Sequence, residues 1–140
     1  MSLINQFVTT DHQRLNYLFD SFKKSTVNKE LFHHEFFEMF KTQLLAHLDW
    51  EEQKLYPIIL SLVPSCAQSI AVMCRQHQRL RELIGIITQK LDISENANSD
   101  IDRLEYILTT HNRQEEQHLY PLIDQYLSLE KQPKSLLSLI

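Results

Sequence analysis

The sequence predicts an all-α protein, an up-down antiparallel four-helix bundle built from two repeated helical hairpins. Three observations point there. The 140 residues include one glycine and four prolines, too few turn formers for a sandwich or a barrel. The phrase HLDWEEQKLYPII at 47–59 returns as HNRQEEQHLYPLI at 111–123, agreeing at eight of thirteen positions (His, two Glu, Gln, Leu, Tyr, Pro and the final Ile). Ordinary residue frequencies would give about one match. Finally, DHQRL at 11–15 returns as QHQRL at 76–80, so each half carries a short motif, a gap and a long motif, which is a helical hairpin made twice.

The elements follow from apolar stripes at the 3.6-residue spacing of core-facing helices. A single domain over 1–140 is expected, with an N-terminal arm at 1–9, the bundle at 10–128 and a C-terminal tail at 129–140. The first helix, about 10–24, carries Val8, Leu15, Phe19 and Phe22 on one side, with Thr10 and Gln13 resembling a capping box. The second begins near Asn28 and runs past Trp50 with Phe36, Phe40, Leu44, Leu55 and Ile58. The third, about 66–91, shows Ile70, Met73, Leu80, Ile84 and Ile87. DISENANSD at 92–100 reads as a loop, and Ser99 as the cap of a fourth helix with Ile101, Leu104, Leu108 and Leu122. Pro57 and Pro121 each predict a kink or a stop. Leu3, Ile4 and Phe7 are expected to pack on the bundle, and SLLSLI at 135–140 reads as a short packed helix or a partner-binding tail.

Bulk properties exclude several function classes. Net charge is −4 with Lys and Arg scattered, so no basic stripe points to nucleic acid. No apolar run is long enough to span a membrane, and the N-terminus does not read as a signal peptide. Cys66 and Cys74 lack CxxC spacing and make a weak disulfide case, so a reduced, cytoplasmic setting is expected.

The stripes contain four imidazoles. His12 lies in line with Val8, Leu15 and Phe19, and His77 with Met73, Leu80 and Ile84. His47 lies in line with Phe40 and Leu44, and His111 with Leu104 and Leu108. Glu51 and Glu115 stand four residues after His47 and His111, hence on the same helix faces. One histidine on an apolar face is ordinarily a hydrogen-bonded core residue. Four histidines and two carboxylates in one core are harder to place, because burying an unpaired carboxylate costs several kcal/mol. Only Lys54 and Arg81 lie near enough to the stripes to serve as cationic partners. A dinuclear metal centre would neutralise both carboxylates and occupy all four rings. A mixed nitrogen and oxygen donor set suits iron, whereas a structural zinc would more often take cysteines.

These residues, His12 in DHQRL, His47 and Glu51 in HLDWEEQKLYP, His77 in QHQRL, and His111 and Glu115 in HNRQEEQHLYP, resemble the hemerythrin-like, HHE cation-binding domain. The resemblance spans residues 10 to about 125 with every ligand block in order. It implies an up-down bundle around two non-haem iron ions, able to share an oxo or hydroxo bridge. His12, His47, His77 and His111 would be terminal ligands, and Glu51 and Glu115 would bridge. The chain departs from the oxygen-carrying worm hemerythrins, which have a His-x-x-x-His pair on the third helix and an aspartate bridge on the fourth. Met73 stands four residues before His77, and Glu115 replaces the aspartate arrangement. The pattern is closer to bacterial members, including those that repair damaged iron centres.

Neighbouring residues carry two readings each. His118, one turn beyond Glu115, reads as an additional ligand or a donor to one, or else as a helix-edge histidine. Met73 reads as a pocket wall, and Cys74 as a redox-active or an inert thiol. Glu52 and Glu116 rotate off the stripe. Tyr56 and Tyr120 fall about 180° from their histidines on an ideal helix, which suggests packing between helices.

Three functions follow as expectations. The first is binding of dioxygen or a related diatomic ligand such as nitric oxide, for sensing, storage or carriage. The second is a redox enzyme acting on nitric oxide or peroxide, or one restoring iron–sulfur centres. The third is an iron- or oxygen-responsive regulator, with a protein partner or a second copy of the chain engaged through the termini.

Overall fold

A computed structural model describes residues 3–28 and 32–129. Helix α1 spans Leu3–Val27 and α2 spans His33–Trp50. A π-helical turn, Glu51–Leu55, leads from α2 directly into α3, Tyr56–Leu62. A 3-10 turn at Pro64–Cys66 precedes α4, Ala67–Asp92. Helix α5, Asn98–Gln114, passes through a second π turn, Glu115–Leu119, into α6, Tyr120–Leu129. No strand occurs among the described residues, and no helix is long and apolar enough to cross a membrane.

Two apolar clusters establish the up-down course. One gathers Leu15, Phe22, Phe40, Leu44, Leu80, Ile84, Leu104 and Leu108, and the other Ile4, Val8, Leu55, Ile59, Met73, Leu119 and Ile123. Each long helix crosses from one cluster to the other, and the direction alternates along the chain. It goes from Val8 to Leu15, back from Leu44 to Leu55, out again from Met73 to Leu80, and back from Leu108 to Leu119. Between the clusters lies a polar layer holding His12, His47, Glu51, His77, His111 and Glu115.

Several boundaries differ from the sequence expectation. The segment read as an arm is the first turns of α1: Ile4 is buried, Phe7 packs on Trp50, and the Asn5 Nδ2 donates to Asp124 Oδ2 of α6 at 3.2 Å. Thr10 and Gln13 therefore lie inside a helix rather than at its start. Helix α1 also runs on to Val27, so α2 begins at His33 and not near Asn28. Helix α5 starts ahead of Ser99, where Asn96 Oδ1 accepts the Asn98 N–H at 2.8 Å. Of the tail expected over 129–140, Leu129 ends α6 and the rest, including SLLSLI, lies outside the described residues.

The prolines do not stop the helices. Pro57 has no N–H for the carbonyl four residues earlier, and its ring crowds that carbonyl. The preceding turn widens instead: the Tyr56 N–H bonds to the Glu51 carbonyl and the Tyr120 N–H to that of Glu115, both i to i+5. One residue is thereby added to the turn, and everything downstream slips by one position. A straight helix would bury Ile58 and Leu122. Ile59 and Ile123 are buried in their place, at 0 % and 1 % exposure, while Leu122 is 41 % exposed.

Phe22 is fully buried and packs on Phe19 and Phe37 in the cluster remote from the π turns. Phe22→Ala is expected to lower unfolding free energy by about 3–5 kcal/mol, read as a shift in the urea midpoint, while leaving metal stoichiometry unchanged.

Candidate metal centre

All six residues singled out from the stripes meet in the polar layer, each at most 4 % exposed. Helix α1 supplies His12, α2 His47, α4 His77 and α5 His111, while the carboxylates open the two π turns. Glu51 Oε1 lies 3.1 Å from His47 Nε2 and 3.3 Å from His77 Nε2. Glu115 Oε1 lies 3.1 Å from both His12 Nε2 and His111 Nε2. Each carboxylate thus reaches from one pair of rings to the other.

The outward nitrogen of every ring has its own partner. His12 Nδ1 faces Glu116 at 3.3 Å, His47 Nδ1 faces Asp11 at 2.5 Å, His77 Nδ1 faces Glu52 at 3.1 Å, and His111 Nδ1 faces the Gln76 carbonyl at 2.8 Å. An acceptor at Nδ1 keeps a proton there and turns Nε2 inward with its lone pair free. Glu52 and Glu116, which rotate off the stripe, do so in order to reach these rings.

The inward atoms are poorly served by one another. His12 Nε2, His47 Nε2, Glu51 Oε1 and Glu115 Oε1 are all buried without an aligned hydrogen bond, although they lie about 3 Å apart. His77 Nε2 and His111 Nε2 face each other at 3.2 Å, so two lone pairs meet unless one takes a proton. Two donor groups result: His12, His47, Glu51 and Glu115, and beside them Glu51, His77 and His111. Buried, converging and mutually unsatisfied nitrogen and oxygen atoms are what a metal cation requires.

Without a cation, protons are the available substitute. Burial alone would lower the pKa of His47, but Glu51 and Asp11 outweigh it and raise the ring to about 10. Burial likewise opposes, and Glu115 and Glu51 overcome it, to raise His111 to about 10. His12 moves up as well, against its burial, because of Glu115 and Glu116. Burial would raise Glu51, yet His47 and His111 hold it well below the usual carboxylate range.

Two phenols of the site, like Asp11 and Gln76, escaped sequence reasoning. Tyr56 Oη donates to Glu115 Oε2 at 2.6 Å and lies 3.3 Å from Glu51 Oε2. Tyr120 Oη donates to Glu51 Oε2 at 2.9 Å and lies 3.1 Å from Glu115 Oε2. Burial, with the two carboxylates adding to it, pushes both phenols well above their usual pKa, so they remain proton donors. The signal was the pair of prolines: an i, i+5 spacing aligns on a π turn, not on an α-helix.

Other expectations resolve differently. His118 is exposed and belongs to neither donor group. It lines a surface cavity of about 310 Å³ with Ser69, Val72, Met73, Gln114 and Leu119. Met73 is buried in an apolar cluster and lines this surface cavity, which none of the six donor residues lines. Lys54 is exposed, and Arg81 pairs with Glu52 rather than with Glu51. Cys66 is buried and Cys74 half-buried, and burial raises both thiols, which argues against a reactive thiolate.

The hemerythrin HHE cation binding domain family matches residues 3–123. No curated protein and no solved structure matches the chain at a significant level.

The raised rings set the pH dependence. For His47 and His111 the folded pKa of about 10 stands above the ordinary 6.5, so their stabilisation of the metal-free bundle is complete below 6.5 and is lost as pH rises through 10. A cation displaces the same protons. The melting-temperature gain on adding Zn²⁺ should therefore increase between about pH 6 and pH 9, with proton release visible by calorimetry in buffers of different ionisation enthalpy.

Proposed function

The chain belongs to the hemerythrin HHE cation-binding family, and from that premise we propose that it is a non-haem di-iron protein binding dioxygen or a related diatomic ligand, such as nitric oxide, for sensing, storage or carriage. The observation that carries the reading is the set of four buried imidazoles and two buried carboxylates whose inward atoms lack partners of their own. In this reading His12, His47, His77 and His111, together with Glu51 and Glu115, would hold the iron. Ferrous iron held there would supply the electrons that a diatomic ligand takes up on binding.

The chain's own residues supply the rest. Asp11, Glu52, Gln76 and Glu116 fix the ring orientations through Nδ1. The two apolar clusters enclose the polar layer on both sides and keep water from it. Tyr56 and Tyr120 hold a proton at Oη and restrain the outer oxygen of each carboxylate. A donor set with few anions favours reversible ligand binding over harsh oxidation.

The paired phenols favour a second reading, a redox enzyme acting on nitric oxide or peroxide or restoring iron–sulfur centres. They lie within hydrogen-bond reach of the carboxylates, placed to deliver protons as a substrate is reduced. No described residue favours the third reading, a regulator working through a protein partner.

Ultraviolet–visible spectra of the anaerobically iron-loaded protein, taken before oxygen, after oxygen and after its removal, separate the first two. Absorption that appears with oxygen and fades on removal is expected. Absorption that persists would replace ligand binding with redox catalysis. Under that second reading, Tyr56→Phe should retain bound iron yet slow nitric oxide or peroxide turnover by about 10²-fold.

A further inference from the structure

We infer that the two halves of the site are electrically unequal, so that a divalent cation fills the His12/His47 half first and more tightly than the His77/His111 half. The inference rests on the cation-binding reading above and deepens it.

The unequal charge comes from positions that the internal repeat would otherwise make equivalent. Asp11 and Gln76 occupy the same place in DHQRL and QHQRL. A carboxylate therefore backs His47 at 2.5 Å, while a neutral amide backs His111 at 2.8 Å. Glu116 and Glu52 are repeat equivalents too, and each backs a ring of the opposite hairpin. Arg81 grips Glu52 with two bonds, of 3.0 and 2.8 Å, whereas its equivalent on α1 is Asn16. Among the described residues, Glu116 is paired with no cationic side chain except the His12 ring.

Counting charges behind the rings gives the difference. Behind His12 and His47 stand Glu116 and Asp11, with Arg14 bound to Asp11 at 2.6 Å, leaving one net negative charge. Behind His77 and His111 stand Glu52 and Arg81, which cancel, and neutral Gln76. Asp49 also touches Arg81 at 2.8 Å but is 56 % exposed and screened by water. A carboxylate on Nδ1–H makes the ring a stronger donor, and an amide carbonyl does so less.

The donor geometry agrees independently. In the first half His12, His47, Glu51 and Glu115 all offer atoms close to one another, whereas in the second only Glu51, His77 and His111 do, and Glu115 reaches it through His111 at 3.1 Å. The second half is also the one tied to the surface cavity. Gln76, which holds His111, donates to Gln114 at 2.7 Å, and Gln114 lines that cavity with Met73.

The test is anaerobic calorimetric titration of the metal-free full chain with Co²⁺. Wild type is expected to bind in two steps separated by about tenfold or more in affinity. Asp11→Asn should weaken the tighter step by about 10–100-fold, and Gln76→Glu should strengthen the weaker one by about tenfold, closing the gap. Both variants are near-isosteric, and circular dichroism checks that they fold. Two equivalent steps in wild type, or an Asp11→Asn effect confined to the weaker step, would overturn the inference and leave the metal-binding reading standing. No uptake of Co²⁺ at all would overturn both.

Discussion

Glu51 and Glu115 are fully buried, in a layer with apolar clusters above and below. A carboxylate there loses its water, and the penalty of several kcal/mol must be offset locally. Most features around the layer can be read as answers to that demand. Four imidazoles converge on the inner oxygens and two phenols donate to the outer ones. The rings can face inward because four further side chains hold their outer nitrogens. Protons satisfy the arrangement only in part, since the inner atoms remain misaligned as hydrogen bonds. A doubly charged ion offsets the same penalty without needing a donor–acceptor angle.

The π turns are how one helix delivers both a carboxylate and a phenol to that layer. On an α-helix, residues five apart diverge by about 140°. On the widened turns Tyr56 follows Glu51, and Tyr120 follows Glu115, onto the same side. The prolines at 57 and 121 enforce the widening because they withhold an N–H where an α-helical bond would form. The one-residue slip then carries Ile59 and Ile123 into the core in the places a regular stripe assigns to Ile58 and Leu122. The phenols and the shifted core are one event seen on two faces of the helix.

That slip also marks the limit of what the sequence disclosed. The bundle, the two hairpins and the six converging residues were legible because a period of 3.6 holds as far as Glu51 and Glu115. Beyond those points the period breaks, and the stripe pointed to Leu122 and His118, both of which are exposed. Asp11 and Gln76 were illegible for a different reason. They act across a helix–helix contact, on His47 and His111 of the neighbouring helix, and periodicity within one helix carries no such information. The start of α1 was missed because Thr10 and Gln13 mimic a capping box, while the real first turn, beginning at Leu3, has no acidic residue to announce it.

The repeat does more than economise on sequence. Glu52, from the first hairpin, holds His77 of the second, and Glu116, from the second, holds His12 of the first. Glu51 and Glu115 likewise each reach a ring of the opposite hairpin. Neither hairpin alone can orient all its own rings or surround its own carboxylate. Docking of the hairpins and completion of the polar layer are therefore the same step, and whatever fills the layer stabilises the docked pair. Divergence between the halves can then adjust the site without disturbing the fold. Exchanging Asp for Gln behind a ring, or Asn for Arg one layer further out, alters the charge that the layer feels while the apolar clusters on either side stay as they are.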